Sequence, residues 1–248
     1  MDAFLGLSPL ALAFMALVVF ASAFMRGYSG FGYPVLVVAA GAFVTNPLAL
    51  VPMAVLGDLV LCLQHGRAAW PDIHWPTAWR LSLGALLGLL PGLLILPHVD
   101  EATARIAISG IVLLASLVML RGWVLPPGAG KGATLGMGVV SGLVAPAGVA
   151  GPPAVMVTAA LGLSPLVFRA TLLAYFVLLD GMTFVQFGLA GKIDTAVLIA
   201  TAASVPFVVI GSWWGARLAV GADPARFRRI TIGVLMAMAA IGLIRALV

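Results

Sequence analysis

Twice in this chain, sequence apolar enough to lie in a bilayer is broken by glycine and proline. The first break is Arg26-Gly27-Tyr28-Ser29-Gly30-Phe31-Gly32-Tyr33-Pro34, and the second is Ala147-Gly148-Val149-Ala150-Gly151-Pro152-Pro153. Each is followed by a short apolar segment, 31–44 or 152–163, and then by Asn46-Pro47 or Ser164-Pro165. Irregular backbone at membrane depth survives only where protein buries it or where it lines a cavity. Interrupted segments at matching places in two halves point to the binding site of a transporter.

Composition supports the membrane premise. The 248 residues are 63% hydrophobic and 8% charged, with a mean hydropathy of +1.19, whereas about a quarter of a soluble domain is charged. The net charge of +5 comes from 13 Lys and Arg spread singly between apolar spans. That spacing fits a positive-inside topology and excludes nucleic acid as a partner, because no basic patch with interleaved aromatics exists. The single cysteine, Cys62, makes no disulfide framework, and His65, His74 and His98 show no metal-ligand spacing. There is no phosphate-binding G-x-x-x-x-G-K-[ST] loop and no Ser/His/Asp set, so the reading is a non-enzyme with no cofactor and no metal. Ala21-Ser22-Ala23 resembles a signal-peptidase site, but Asp2 stands where a basic region belongs. The run 8–25 is long enough to span, and it reads as a retained first helix.

Apolar runs bounded by Gly, Pro or charge give ten segments: 8–25, 31–44, 47–64, 77–97, 103–120, 133–145, 152–163, 165–187, 194–218 and 226–247. The runs are continuous rather than alternating, which favours helices over a membrane barrel. The second and seventh segments are too short to span, so they read as short helices, tilted or ending partway across. Shifting the chain brings features into register. Pro34 and Pro47 meet Pro152 and Pro165 at 118 residues, and Asp58, Gln64 and Asp72 meet Asp180, Gln186 and Asp194 at 122. Gly88, Gly92, Asp100 and Arg105 meet Gly211, Gly215, Asp223 and Arg228 at 123. The expected architecture is an all-α polytopic membrane protein. It is one membrane domain over 1–248, with repeat 1 at 1–120, a linker at 121–132 and repeat 2 at 133–248.

An odd number of segments per repeat inserts the two copies in opposite orientations. With the N-terminus outside and every segment crossing, ten basic residues, Arg26 and Arg169 among them, fall inside. Only Arg105, Lys192 and Arg245 fall outside. The acidic loop His98-Val99-Asp100-Glu101 then lies outside and its basic counterpart, 223–229, inside, as inverted copies require.

A helix N-terminus carries unpaired N–H groups and the positive end of a dipole, so it binds anions without a charged side chain. Ser29, Gly30, Phe31 and Gly32 precede one short helix; Gly148, Val149, Ala150 and Gly151, with Pro152 next, precede the other. Two such ends meeting near the membrane centre would hold a small anion, and close helix packing is the competing use of these glycines. Asp58 and Asp180 lie well inside apolar segments at matched positions, which marks them as candidate proton carriers. Gln64 and Gln186 are weaker candidates of the same kind. Arg26 and Arg169 flank the breaks, either to set topology or to guard the cytoplasmic mouth. Gly84, Gly88 and Gly92, like Gly211 and Gly215, form a small-xxx-small pattern that belongs to helix packing.

The motif Gly27-x-x-Gly30-x-Gly32 with Pro34 beyond it, and Gly148-x-x-Gly151-Pro152-Pro153 with Ser164-Pro165 and Arg169-Ala170, resemble the TauE/SafE family of sulfite and organosulfur-anion exporters. The resemblance covers essentially the whole chain in length, repeat and segment order. It implies a two-repeat transport domain of a bacterial inner membrane, with Ser29, Gly30, Gly32, Gly148, Gly151 and Pro152 on the substrate pathway. Tyr33-Pro34 replaces a further glycine often found there, and Ala150 stands where the first copy has Gly32; both tighten the space. The resulting expectation is a secondary transporter, an exporter, of small anions such as sulfite, sulfonates or related organic anions, working by alternating access, with the bilayer and protons as its other partners. An anion channel is the alternative, made less favourable by the lack of an arginine-lined pore. A membrane subunit or scaffold without transport of its own is another. Nothing in the pattern points to an oligomeric state.

Overall fold

The computed structural model of the protein describes residues 6–95 and 130–219 throughout, with scattered positions between 98 and 121 and at 233 and 236. The expected segments 103–120 and 226–247 and most of the linker 121–132 lie largely outside the described residues, and so does Glu101 of the acidic loop. Eight α-helices are described: α1 Pro9–Ser29, α2 Tyr33–Gly41, α3 Pro47–Ala69, α4 Trp75–Ile95, α5 Gly130–Val144, α6 Gly151–Ala160, α7 Pro165–Leu189 and α8 Thr195–Ala219. Short 3-10 turns at Trp70–Asp72 and Ala145–Ala147 complete them, and there is no strand among the described residues. Five helices, α1, α3, α4, α7 and α8, are long and apolar enough to cross a membrane. The chain is thus an all-α polytopic membrane protein. Several bounds differ from the sequence reading: α1 runs on to Ser29 and α3 to Ala69, α2 spans only Tyr33–Gly41, and α5 begins at Gly130.

Helix starts follow local chemistry. Ser8, Asn46 and Ser164 each cap a helix with a side-chain oxygen that accepts a backbone N–H, and each is followed by proline at the first helical position. Proline sacrifices nothing there, because that N–H has no partner within the helix. The short helices are another matter. α2 has 9 residues and α6 has 10, about 14–15 Å of rise against a hydrocarbon core of about 30 Å. Both are apolar on every side, which is the mark of a helix enclosed by protein. α2 lies between α1 and α3, sending Val35 and Leu36 into one buried cluster and Tyr33, Val37 and Val38 into another.

Small residues set the large interfaces. Gly84, Gly88 and Gly92 of α4 lie against the backbone around Leu135, Val139 and Leu143 of α5, with no room for a Cβ. Gly211 and Gly215 of α8 lie in the same way on the backbone of Phe20 and Phe24 of α1. Lipid tails are as apolar as leucine, so close backbone approach rather than hydrophobic transfer drives such contacts. Leu83, Leu87, Leu90 and Leu94 stay exposed on the opposite side of α4, as lipid-facing residues would.

In both glycine interfaces residue numbers rise together, so α4 runs parallel to α5 and α1 parallel to α8. α3 joins the second set: Gln64 Nε2 donates to the Val209 carbonyl and His65 meets Ser212, while Leu50 and Met53 lie beside Ala200 and Ser204. α7 runs against α3, with Arg169 near His65 and Ala69, and Asp180 near Asp58. It begins beside the start of α4, where the His74 N–H donates to Thr171 Oγ1 at 3.0 Å. Helices matched by the sequence shift, α1 with α5, α3 with α7 and α4 with α8, therefore run in opposite senses.

Candidate functional site

Each glycine break is shaped by its own hydrogen bonds. At the first, α1 ends when Gly30 takes φ +86° and its N–H donates to the Arg26 carbonyl at 2.8 Å. Gly32 follows with φ +99° and opens α2. Residues with a Cβ rarely adopt either angle. Ser29 Oγ contacts the Met25 and Phe31 carbonyls, and the Arg26 Nη1–H donates to the Gly30 carbonyl. At the second, Gly148 is the left-handed residue, and Ser141 Oγ–H donates to the Ala150 carbonyl. Ser141 in turn lies 2.6 Å from the Tyr175 hydroxyl.

Between the breaks sits a cluster of buried charge. Arg26 Nε–H donates to Asp58 Oδ1 at 2.7 Å, and Nη2–H to Oδ2 at 3.3 Å. Asp180 comes from the facing helix, so that one oxygen each of Asp58 and Asp180 and the Cys62 sulfur lie within 4.8 Å of one another. Arg26, Asp58 and Asp180 are 4%, 0% and 5% exposed. Asp180 Oδ2 has no hydrogen-bond partner. The guanidinium also lies 5.0 Å from the ring centre of Phe176. An uncompensated ion in such surroundings costs several kcal/mol, about the penalty of removing it from water. One guanidinium therefore offsets one carboxylate, Asp58, and the second, Asp180, has no cation of its own in the cluster among the described residues. The three ligand-type atoms could in principle face a cation, but the Arg26 guanidinium already occupies Asp58 and contacts Cys62 Sγ at 3.5 Å, which opposes metal binding.

Two spaces adjoin the cluster. A cavity of about 20 Å³ is lined by Gly32, Gly148, Ala150, Gly151, Phe176 and Asp180, among others; that is room for about one water. On the other side lies an open vestibule of about 230 Å³, lined by Arg26, Gly30, His65, Leu166, Arg169 and Ala216, among others. The Gly30-Phe31-Gly32 stretch and the Arg26–Asp58 pair stand between the two. Phe31 is held edge-on against Phe168, ring centres 6.3 Å apart. In this state a small anion could enter the vestibule but not the cavity.

The structure brings Gly32, Gly148 and Gly151 together at the cavity, with Ser29, Gly30, Phe31, Val149 and Pro152 buried around it. Arg26 departs from expectation. Counted as a loop residue on the inner side, it is buried on α1, which runs on to Ser29, and it is paired with Asp58. Arg169 does stand at an opening, half-buried, its Nη2–H donating to the Gly27 carbonyl. A Cβ on Gly30 would lie 2.9 Å from Arg169 Cγ, so this glycine also makes room for that arginine. Gln64 and Gln186 do not join Asp58 and Asp180. Gln64 bonds α8 through Val209 and Ser212, and Gln186 Oε1 is buried without a partner. Sequence reasoning missed Ser141, Tyr175 and Phe176. Ser141 sits in a glycine-rich helix and the aromatics in an apolar run, where neither stands out from packing residues.

The chain matches the family described as "Sulfite exporter TauE/SafE" over residues 14–241. It is 27% identical over 231 residues, 89% of each chain, to a protein of Cupriavidus necator named "Probable sulfite/organosulfonate exporter TauE". No solved structure matches it significantly. A family match spanning nearly every described helix places this all-α membrane protein with transporters rather than enzymes, and the chain belongs to the sulfite exporter TauE/SafE family.

Proposed function

We propose that the protein is a secondary transporter of small anions, sulfite, sulfonates or related organic anions, in a bacterial inner membrane. It works by alternating access between two inverted five-segment repeats, 1–120 and 133–248, with an anion site between the glycine breaks and protons handled by Asp58 and Asp180. The observation that carries the reading is the meeting, beside one buried Arg–Asp–Asp cluster, of two short enclosed helices that begin at glycine breaks. The opposite senses of the matched helices support the inverted repeat, and the relative's printed name supports the substrate class. With the cavity as small as one water, the described state is closed on one side, as a carrier's would be and an open channel's would not.

Counterflow in proteoliposomes tests this, with labelled sulfite as tracer and sulfoacetate, sulfate and acetate as competitors. Saturable exchange inhibited by sulfonates is the expected result. Unsaturable, electrically measurable flux would replace the carrier with a channel, and absence of flux for any anion would leave a scaffold.

A further inference from the structure

The Arg26 guanidinium presents a planar fork of N–H donors, and in this state a carboxylate fills it. Sulfite and sulfonate groups present two oxygens at similar spacing, so they fit the same fork, and a guanidinium holds such oxyanions better than an ammonium. Asp58 thus stands where an oxyanion would bind. The vestibule reaches Arg26 from outside. Arg26 itself lines it, Arg169 lies along the way, and no acidic residue does. Arg169 has no carboxylate partner among the described residues. An anion drawn in by Arg169 meets Arg26 next, and to take both N–H donors of the Nε–Nη2 edge it must displace Asp58.

Displacement has a charge consequence. Before it, Arg26 and Asp58 balance each other. After it, the anion balances Arg26, and Asp58, still buried beside Asp180, is left without a counter-charge. The cluster has no other cation to offer. Cys62 of α3, Tyr33 of α2 and Asp180 of α7 face Asp58, and Tyr175 of α7 stands behind Asp180. His65 and Arg169 face Arg26 from the vestibule side. α4, α5 and α8 bring no titratable group to the cluster among the described residues.

We propose that a small oxyanion entering by the Arg169 vestibule binds Arg26 in place of Asp58, and that Asp58 takes up one proton as it is displaced, so that anion and proton cross together in the same direction. The proton comes from the aqueous phase that supplies the anion. It forms an O–H bond on a carboxylate oxygen of Asp58 while the two N–H···O bonds from Arg26 pass to the anion. A monovalent anion carries one proton and a divalent one needs a second, which Asp58 alone cannot take, so monoanions are the better substrates. This rests on the carrier reading above.

The test is uptake of methanesulfonate, whose charge is fixed, and of sulfite into proteoliposomes of the full chain, with an internal pH indicator. The wild-type KM for methanesulfonate should rise with pH, with one proton entering per anion. Asp58→Asn, a stand-in for the protonated carboxyl, should keep saturable uptake with a KM indifferent to pH and no proton entry. Asp180→Asn, which leaves the Arg26–Asp58 pair in place, should keep proton entry, and Arg169→Gln should raise KM by the same factor at every pH. Each variant is compared with wild type by detergent chromatography. Saturable uptake with a pH-independent KM in the wild type, or proton entry that survives in Asp58→Asn, overturns the proposal and leaves the carrier standing. No uptake of either anion by the wild type overturns the carrier reading and this proposal together.

Discussion

The two glycine breaks occupy matching places and open helices of nearly equal length, yet they are held by different chemistry. The first is fastened by a charge: Arg26 bonds the Gly30 carbonyl and Asp58 at once. The second is fastened by neutral hydroxyls, Ser141 on the Ala150 carbonyl with Tyr175 behind it. Shared architecture with unequal charge leaves two carboxylates and one guanidinium at the centre. The arrangement keeps a matched pair of helix ends, and under the proposed displacement only the first of them responds to protons and anions. A charge-fastened break can be released by a competing ion; a hydroxyl-fastened one cannot.

The comparison can be broken most directly at Arg26. Arg26→Leu leaves Asp58 buried without its partner and should lower stability by about 3–5 kcal/mol. The double variant Arg26→Leu/Asp58→Asn should recover much of that loss, as read from thermal unfolding in detergent. If the double variant is no more stable than the single, the pair is not what fastens the first break. Ser141→Ala should cost less, about 1–3 kcal/mol, because it strands a neutral carbonyl and hydroxyl rather than an ion. An unfolding loss equal to that of Arg26→Leu would erase the distinction between the breaks.

Glycine substitutions sharpen it further. Gly30→Ala should destabilise by about 1–2 kcal/mol, since the residue is left-handed, and the new Cβ meets Arg169 at 2.9 Å. It should also raise KM for the anion, because Arg169 must move. Gly151→Ala is the mildest change: a Cβ there finds only Phe176, at 3.9 Å, and the helical backbone accepts it. Stability should rise by up to about 1 kcal/mol, while KM for the anion should rise because the residue lines the cavity between the breaks. An unchanged KM would mean that the second break does not close on substrate.

Much of this was legible in the chain itself. Apolar runs with capping residues and proline at their starts placed most of the described helices within a few residues, because those signals are local and do not wait on packing. Breaks at 26–34 and 147–153 announced the short helices, and isolated carboxylates in apolar surroundings announced Asp58 and Asp180. Arg26 was read as a loop residue because depth in a membrane depends on where a helix turns back. Gln64 and Gln186 share the spacing of the carboxylates but lie two turns further along, where their helices meet other neighbours.

What the sequence determined by itself is the class of molecule: a helical membrane protein with two broken segments and carboxylates that hydrocarbon would not tolerate alone. Hydropathy and backbone stereochemistry act residue by residue, so they can be read without a fold. Only the tertiary structure decided which charges meet. α1, α3 and α7 are far apart in the chain, and their packing puts Arg26 on Asp58 with Asp180 beside them, leaving Arg169 at the opening. Electrostatic energy depends on distance and burial, and neither is a property of spacing along a chain.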